Sequence, residues 1–266
     1  MAVPTVTCDS PRVLSYEDVV VELRAAGCVY AEDEARLLIE AGGPLEDLLA
    51  RRVAGEPLEW ILGWAWFGTE DGDGIRVDVH PGVFVPRGRT IELALAALEV
   101  LPAGGTVVEL CCGSGAISAY LLHADPSARA YAADLDPAAV ACARENLPGA
   151  VVLQGDLFDP LPASLQGTVD VLVANTPYVP SDMVALMPPE ARDHEPLHTL
   201  DGGPDGLALL RRIAADARDW LKPGGVVLIE ISEIQYAAAE SAFAAAGLIT
   251  SARIDPDGTS VILGQA

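Results

Sequence analysis

Basic residues are scarce in this sequence. The 266 residues include sixteen lysines and arginines against thirty-nine aspartates and glutamates, for a formal net charge of -23. Lys222 is the only lysine. Such a negative charge repels a phosphate backbone unless a local basic patch exists. The arginine pairs 51–52 and 211–212 are more simply explained as solvent-exposed faces of helices. Nucleic acid is therefore not an expected partner.

Long apolar runs are also missing. No stretch of about 18 apolar residues could span a membrane, and the chain does not open with the basic and then apolar pattern of a signal peptide. We therefore expect a cytoplasmic protein with no membrane partner. Hydrophobic residues make up 51% of the chain, which is enough to bury a substantial core.

Metal-type spacing is absent among the cysteines and histidines. The cysteines are odd in number and form no CxxC pair, so they are expected to be buried free thiols: Cys8, Cys28, Cys111, Cys112 and Cys142. The four histidines likewise show no ligand spacing. We expect no metal site.

The pattern of apolar residues divides the chain into three parts. Residues 1–62 read as a helical domain, in which "SYEDVVVELRAAG" carries apolar residues at helical spacing behind a capping pair, Ser15 and Asp18. Residues 63–86 contain two alternating runs around an acidic, glycine-rich turn, which predicts a linking β-hairpin. In residues 87–266, short apolar strands alternate with helices and "DPDG" separates two final extended runs. This predicts an α/β, Rossmann-like parallel sheet that ends in an antiparallel hairpin.

Candidate ligand-binding residues lie at the ends of the predicted strands, because ligands bind beyond the carboxyl ends of an open parallel sheet. The first strand ends "ELCCGSGAIS", where Gly113 and Gly115 permit a tight turn and a close approach of the backbone to a ligand. A G-x-G pair alone is also common in ordinary strand-to-helix turns. It is not a nicotinamide fingerprint, since Ser118 occupies the position of the third glycine.

Two carboxylates follow at the next strand ends. Asp134 can accept hydrogen bonds from both ribose hydroxyls of a nucleoside; the alternative role of helix N-cap fits Asp136, with Pro137 at the first helical position, better. Asp156 can accept from an adenine amino group, with Leu157 or Phe158 beside the ring. Together these residues describe a nucleoside site without a phosphate cradle, which points to S-adenosylmethionine.

The fourth strand ends in "NTPY". Pro177 favours an extended conformation at Thr176, so the Asn175 side-chain oxygen and the Thr176 carbonyl can converge on the amine or amide of an acceptor. Tyr178 can stack on the plane of that acceptor. Because an amide nitrogen is a poor nucleophile, orientation must supply much of the rate.

At this point the sequence resembles a family, the HemK/PrmC-type protein-glutamine methyltransferases, which methylate a glutamine side chain of peptide-chain release factors. The resemblance rests on "EPLEWILGWAWF", "VDVHPGVFVPR", "ELCCGSGAI", "NTPYVP", "LMPPEARDHEP" and "LDGGPDGLALLRRI". It implies a class I S-adenosylmethionine-dependent methyltransferase domain behind a small N-terminal helical domain. It also implies cofactor contacts at Gly113, Gly115, Asp134 and Asp156, and acceptor contacts at Asn175, Pro177 and Tyr178.

The chain departs from the family pattern at several of these motifs. Thr176 replaces the second residue of Asn-Pro-Pro-Tyr, and "PRGRTI" places Gly88, Arg89 and Ile91 where a proline and two acids are usual. At the first turn, Glu109 and Cys111 replace an aspartate and a glycine. These changes place the chain with a related subgroup whose substrate the resemblance does not identify.

The departures favour a small-molecule acceptor, methylated at nitrogen or at an electron-rich aromatic carbon such as that of an indole-type metabolite. The alternatives are methylation of a release-factor glutamine and a catalytically idle cofactor-binding module, although Asn175 and Tyr178 argue against an idle site. A DNA amino-methyltransferase is disfavoured by the acidic surface.

The expected site residues follow from the strand ends and the resemblance. Asn175 and Tyr178 are the expected catalytic residues. The expected cofactor contacts are Glu109, Cys111, Gly113, Gly115, Asp134, Leu135, Asp156, Leu157 and Asn175. The expected acceptor contacts are Thr176, Pro177, Tyr178, Arg89 and His194, with Trp64 and Trp66 overhanging from the hairpin. A structural hydrogen bond is the stronger alternative for His194, and the pattern does not decide whether Glu230 or Glu233 faces the pocket.

Overall fold

The computed structural model of the protein describes residues 14–69, 71–254 and 259–266. The chain divides into two compact units, Met1–Leu62 and Gly63–Ala266. Cys8 and the predicted "DPDG" turn lie outside the described residues. Within the described residues, no helix combines the length and the apolarity needed to cross a membrane.

The first unit is helical, as its apolar spacing predicts. Its helices are α1 (Tyr16–Ala25), α2 (Ala31–Ala41), α3 (Leu45–Val53) and α4 (Leu58–Leu62). The predicted capping pair forms at the start of α1: the Asp18 amide donates to Ser15 Oγ at 3.2 Å, and the Ser15 amide donates to Asp18 Oδ2 at 3.1 Å. Residues including Val19, Leu23 and Leu38 give this unit a hydrophobic core of its own.

The second unit begins with the predicted hairpin. Strands β1 (Trp64–Gly68) and β2 (Gly74–Asp78) pair antiparallel, with Trp64 opposite Asp78 and Gly68 opposite Gly74. The two glycines approach each other so closely at the turn end that a Cβ on Gly74 would lie 2.6 Å from the Gly68 Cα. Glycine at this pair therefore lets the hairpin close.

The large sheet has the strand order β5-β4-β3-β6-β7-β9-β8. Its strands are β3 (Thr106–Leu110), β4 (Arg129–Asp134), β5 (Val151–Gln154), β6 (Val169–Ala174), β7 (Leu221–Ser232), β8 (Ile249–Ile254) and β9 (Thr259–Gln265). β3 to β7 run parallel, whereas β9 pairs antiparallel with β7 and β8. The predicted parallel sheet with an antiparallel C-terminal hairpin is confirmed.

Helices cover both faces of this sheet. They are α5 (Ile91–Val100), α6 (Ala116–Ala124), α7 (Pro137–Asn146), α9 (Ala208–Trp220) and α10 (Tyr236–Ala245), while the short helix α8 (Pro189–His194) lies in the segment between β6 and α9. Consecutive residues of a strand point to opposite faces. Accordingly Val107 packs in a cluster with α5 and α6, whereas its neighbour Val108 packs in a cluster with α9 and α10. This explains why the strands read as continuous apolar runs.

The strand order places a topological switch point between β3 and β6. From β3 the chain proceeds outward to β4 and β5, and then returns to the other side of β3 with β6 and β7. Beyond the carboxyl ends of the strands, such a point leaves a crevice. The residues that follow β3, β4 and β6 therefore meet there.

Candidate active site

A cavity of about 280 Å³ opens at this switch point. Its walls come from the residues that follow β3, β4, β5 and β6, and from the segment that follows the hairpin. The sequence-predicted residues that line it are Arg89, Glu109, Cys111, Gly113, Asp134, Leu135, Asp156, Leu157, Asn175, Thr176, Pro177 and Tyr178. The sheet thus brings together residues that are up to 89 positions apart in the chain.

The turn after β3 brings the backbone to the cavity wall. Cys111 and Gly113 both adopt positive φ, 55° and 53°, and a Cβ added to Gly113 would meet no atom within 4 Å. Gly113 therefore leaves open space on the cavity side. Gly115 does not line the cavity; it has φ 77° at the start of α6, and a Cβ there would lie 2.8 Å from Leu147. Its role is packing of the turn against α7.

Glu109 is buried beneath this turn. Its side chain accepts a hydrogen bond from the Ser118 amide in the first turn of α6, at 2.8 Å. Burial raises the pKa of Glu109 to about 7, and the bonds from Ser118 oppose the rise. The carboxyl group thus joins β3 to α6 and fixes the loop between them.

Asp134, at the end of β4, is held by two backbone donors. The Gly113 amide donates to Oδ2 and the Asp136 amide to Oδ1, both at 2.9 Å. Burial raises the pKa of Asp134, whereas these two bonds favour its charged form. Asp136 is the N-cap of α7, with Pro137 at the first helical position, as predicted. Leu135 is 63% exposed at the mouth of the cavity.

Asp156 follows β5 and forms an ion pair with Arg212 of α9, at 2.8 Å. The next residue, Leu157, is buried with φ 49°, so the chain turns sharply back under the cavity. Arg212 cannot be identified from the sequence, because no local pattern shows which face of α9 meets a loop 56 residues away.

Asn175 directly follows β6, and its orientation is fixed from across the cavity. Its side-chain nitrogen donates to Thr90 Oγ1 at 3.2 Å. This bond turns the amide so that the side-chain oxygen is the atom left to accept from a ligand. Thr176, the departure from the family motif, is only 3% exposed and lines the cavity. No local sequence pattern predicts this role of Thr90.

Arg89, Tyr178 and Glu230 form one cluster at the cavity wall. Arg89 donates to the Tyr178 hydroxyl, its guanidinium carbon lies 5.8 Å from the Tyr178 ring centroid, and its Nε lies 3.5 Å from Glu230 Oε1. Burial, and then the Glu230 carboxyl, raise the pKa of Tyr178 to about 12, so the phenol stays protonated at neutral pH. The sequence did not decide between Glu230 and Glu233. In the structure Glu230 is buried in this cluster, whereas Glu233 is exposed.

The "NTPY" segment, residues 175–178, is held in place by Gln235 and by the "LDGGPDG" loop. The Gln235 side-chain nitrogen donates to the Tyr178 carbonyl at 2.8 Å and to the Asp205 carbonyl at 3.0 Å. The Gly202 amide donates to the Val179 carbonyl at 2.8 Å. The loop is distinctive in the sequence, but Gln235 is not, because its partners lie 57 and 30 residues away.

Three residues predicted at the acceptor do not line the cavity, namely Trp64, Trp66 and His194. Because β1 alternates, Phe67 faces the cavity, whereas Trp64 lies on the other face under the Arg76 guanidinium, 4.5 Å from its ring. Trp66 is 49% exposed. The residue after His194, Glu195, forms an ion pair with Arg87, in which Oε2 lies 2.6 Å from Nη2. The roof expected from the tryptophans is therefore not part of this cavity.

The chemistry of the cavity walls fits a nucleoside without phosphates. Carboxylates at Asp134 and Asp156 can accept from ribose hydroxyls and an adenine amine, and Gly113 leaves room for a ligand beside the backbone. Of the three arginines in the wall, Arg87 is engaged by Glu195 and Arg212 by Asp156, and Arg89 lies at the Tyr178 hydroxyl. The three therefore do not form one basic cradle around a phosphate. The residues present therefore fit S-adenosylmethionine.

The fold and the sequence match known methyltransferases. A "Methyltransferase small domain" family model matches residues 74–187. A methyltransferase from Pyrococcus furiosus shares the fold, with a TM-score of 0.54 and 18% identity over 71% of this chain and 87% of that one.

Two curated relatives match most of the chain. The release factor glutamine methyltransferase of Mycolicibacterium smegmatis is 39% identical over 215 residues, covering 79% of this chain and 74% of the relative. The 4-amino-L-phenylalanine/4-methylamino-L-phenylalanine methyltransferase of Streptomyces pristinaespiralis is 39% identical over 206 residues, covering 74% and 68%. The chain belongs to the HemK/PrmC family of S-adenosylmethionine-dependent methyltransferases.

Proposed function

We propose that this methyltransferase acts on a small-molecule acceptor, at nitrogen or at an electron-rich aromatic carbon. The observation that carries the proposal is the position of Arg89 at the Tyr178 hydroxyl, beside the buried Glu230. A neutral glutamine amide can accept a hydrogen bond from this cation but carries no charge that complements it. A small acceptor with polar groups of its own can complement it.

The cofactor end of the cavity lies along the ends of β3, β4 and β5. When bound, S-adenosylmethionine supplies an electrophilic methyl group on a sulfonium. Asp134 is positioned to accept from the ribose hydroxyls, and Asp156 with Leu157 to hold the adenine. Leu135 adds apolar contact at the mouth, and Glu109 fixes the turn of Cys111 and Gly113 that borders the ligand.

The acceptor end lies along the residues that follow β6. The Asn175 oxygen and the Thr176 carbonyl accept from the acceptor N–H groups and direct its lone pair toward the methyl group. Tyr178 and Pro177 hold the acceptor plane. Since the Tyr178 phenol stays protonated, these residues act by orientation and not as a strong base. Alignment of this kind can lower the activation free energy by about 7 kcal/mol or more.

One relative and the aromatic lining of the cavity add support. The Streptomyces pristinaespiralis relative, 39% identical, is a methyltransferase of amino-phenylalanines, so this scaffold accommodates an aromatic amine. Aromatic side chains at Phe67, Phe84 and Tyr178 in the cavity wall suit such a ring.

A release-factor glutamine is the second candidate. It is supported by relatives such as the release factor glutamine methyltransferase of Streptomyces coelicolor, 40% identical over 195 residues. Thr176 also retains the backbone carbonyl that an amide acceptor requires, because the substitution changes only the side chain. The buried Thr176 side chain and Arg89 are the features that weigh against this candidate.

The test is methyl transfer from labelled S-adenosylmethionine in separate incubations with 4-amino-L-phenylalanine, an indole and a purified release factor. Mass spectrometry then locates the label. We expect methylated small molecule and an unlabelled glutamine. The Asn175→Ala variant should lose at least about 100-fold in rate, as expected for loss of an orienting group, while the exposed-amide control Gln166→Ala keeps the rate. A labelled glutamine with no labelled small molecule would overturn the proposal.

A further inference from the structure

We propose that Arg89 is a specificity-determining residue that binds a carboxylate on the acceptor, so that the acceptor is an aromatic amine bearing an acid group. This inference rests on the proposed function and names the substrate class for the same site. It is carried by the accessibility of Arg89, by its weak internal pairing and by its place beside Asn175.

Arg89 is both accessible and held in position. Its side chain is 47% exposed and lines the cavity, whereas Glu230 behind it is 1% exposed. One terminal nitrogen donates to the Tyr178 hydroxyl, and the guanidinium lies over the Tyr178 ring. An arginine anchored in this way loses little conformational entropy when it binds a ligand.

The charge of Arg89 is less fully neutralised than that of the other two arginines in the wall. Arg87 lies 2.6 Å from Glu195 and Arg212 lies 2.8 Å from Asp156. The carboxyl group beside Arg89 is 3.5 Å away, longer than a good N–H to oxygen hydrogen bond of about 2.7–3.2 Å. A guanidinium has five N–H donors, and the two contacts of Arg89 each involve one nitrogen.

Glu230 further favours an external carboxylate. Burial raises the pKa of Glu230, and Thr90 and Arg89 oppose the rise. Because Glu230 is buried behind the guanidinium, it anchors the side chain without occupying the cavity. A carboxylate entering from the cavity meets the cation on its exposed side and can bind it with two hydrogen bonds.

The position of Arg89 relative to Asn175 sets the shape of the acceptor. Thr90, the next residue after Arg89, accepts the hydrogen bond of the Asn175 side chain. Tyr178 contacts Arg89 and lies three residues beyond Asn175. An amine at Asn175, a ring along Tyr178 and a carboxylate at Arg89 therefore match a ring that carries the two groups on separate positions.

The experiment compares matched probes. Turnover of 4-aminophenylacetate and of 4-toluidine, which lacks the carboxylate, is measured with wild type, Arg89→Gln and Arg253→Gln. Arg253 is the control because it forms a surface ion pair with Glu99 away from the cavity. We expect wild type and Arg253→Gln to prefer the acid in kcat/KM by about tenfold or more, as charged hydrogen bonds of this kind supply. Arg89→Gln should lose this preference through KM.

Binding provides a readout that does not depend on turnover. Isothermal titration of each probe, and of 4-aminobenzylphosphonate, is performed with S-adenosylhomocysteine present. Suppose that wild type binds 4-aminophenylacetate more tightly than 4-toluidine and that Arg89→Gln does not. This result supports the inference, even if a release factor proves to be the substrate and the proposed function fails. Turnover of both probes with no Arg89-dependent preference overturns the inference and leaves the proposed function standing. Binding of neither probe, or stronger binding of the phosphonate, also overturns it.

Discussion

Asn175 donates from its side-chain nitrogen to Thr90 Oγ1 at 3.2 Å, across 85 positions of the chain. The bond joins the residue that follows β6 to the residue before α5. Thr90 is 3% exposed, so water does not readily replace it as the partner. The orientation of the Asn175 amide, the proposed acceptor contact, therefore depends on a residue outside the "NTPY" motif.

Replacing Thr90 with valine, which has a similar shape and no hydroxyl, should lower kcat about tenfold. The Asn175 amide would lose the bond that fixes its rotation, and a lost hydrogen bond costs about 1 kcal/mol or more. Steady-state methyl transfer checks this. Thr168→Val is the control, since it removes a hydroxyl that bonds only to a nearby turn carbonyl, that of Leu165. Equal rates for wild type and Thr90→Val would show that the bond does not orient the amide.

Asp134→Asn should weaken binding of S-adenosylmethionine about tenfold or more. The carboxylate accepts from the Gly113 and Asp136 amides through separate oxygens, and an asparagine side chain can offer only one acceptor oxygen. Hydrogen bonds to a charged group contribute about 1.5–3 kcal/mol. Isothermal titration measures the affinity.

The control for Asp134→Asn is Asp125→Asn. Asp125 accepts from the Gly104 and Ser127 amides in a turn outside the cavity wall. Unchanged affinity in Asp134→Asn, or equal losses in both variants, would remove Asp134 from the cofactor site.

Gly206→Ala should destabilise the protein and displace the acceptor motif. The residue has φ 76°, and a Cβ would lie closer than 3.0 Å to the Tyr178 carbonyl oxygen and to the Gln235 side-chain nitrogen. Gly149→Ala is the matched control, because Gly149 has φ 95° and open space around it, leaving only a backbone cost of about 1–2 kcal/mol. Denaturant unfolding should show a larger loss for Gly206→Ala. Equal losses would mean that the loop yields without strain.

The difference in the free energy of unfolding between wild type and Glu109→Gln should depend on pH. The pKa of Glu109 is about 7 in the folded protein and 4.5 as the ordinary value, so between these values the folded state binds more protons and the free energy of unfolding falls as pH rises. Glu109→Gln removes this slope. Relative to wild type, the variant should gain up to about 3 kcal/mol between pH 4.5 and pH 7, at about 1.4 kcal/mol per unit.

Urea unfolding of wild type and Glu109→Gln at pH 5 and pH 8 measures this gain. The exposed-residue control, Glu233→Gln, should show the same difference from wild type at both pH values. A constant difference for Glu109→Gln as well would mean that the buried carboxyl group does not titrate in this range.

Local sequence was sufficient for the elements and for the strand ends. The Ser15 capping pair, the Asp136 N-cap and the hairpin from Trp64 are short-range features, and all three form. Asp134 and Asn175 lie at the carboxyl ends of parallel strands, so their convergence followed from the sheet topology alone.

Long-range partners could not be predicted. Thr90 meets Asn175, and Gln235 meets Tyr178, because separate loops pack together, which no local pattern records. The orientation of Trp64 and Trp66 could not be predicted for a different reason: alternation shows that neighbours in β1 face opposite ways, but not which set faces the cavity. Phe67 occupies that face instead.

The most direct test of the account is a crystal structure of the enzyme with S-adenosylhomocysteine and 4-aminophenylacetate bound. We expect ribose hydroxyls within hydrogen-bond distance of Asp134, and the amine at the Asn175 oxygen and the Thr176 carbonyl. We also expect the carboxylate at Arg89. Acceptor density away from Asn175, or a cofactor bound outside the switch-point cavity, would contradict the account.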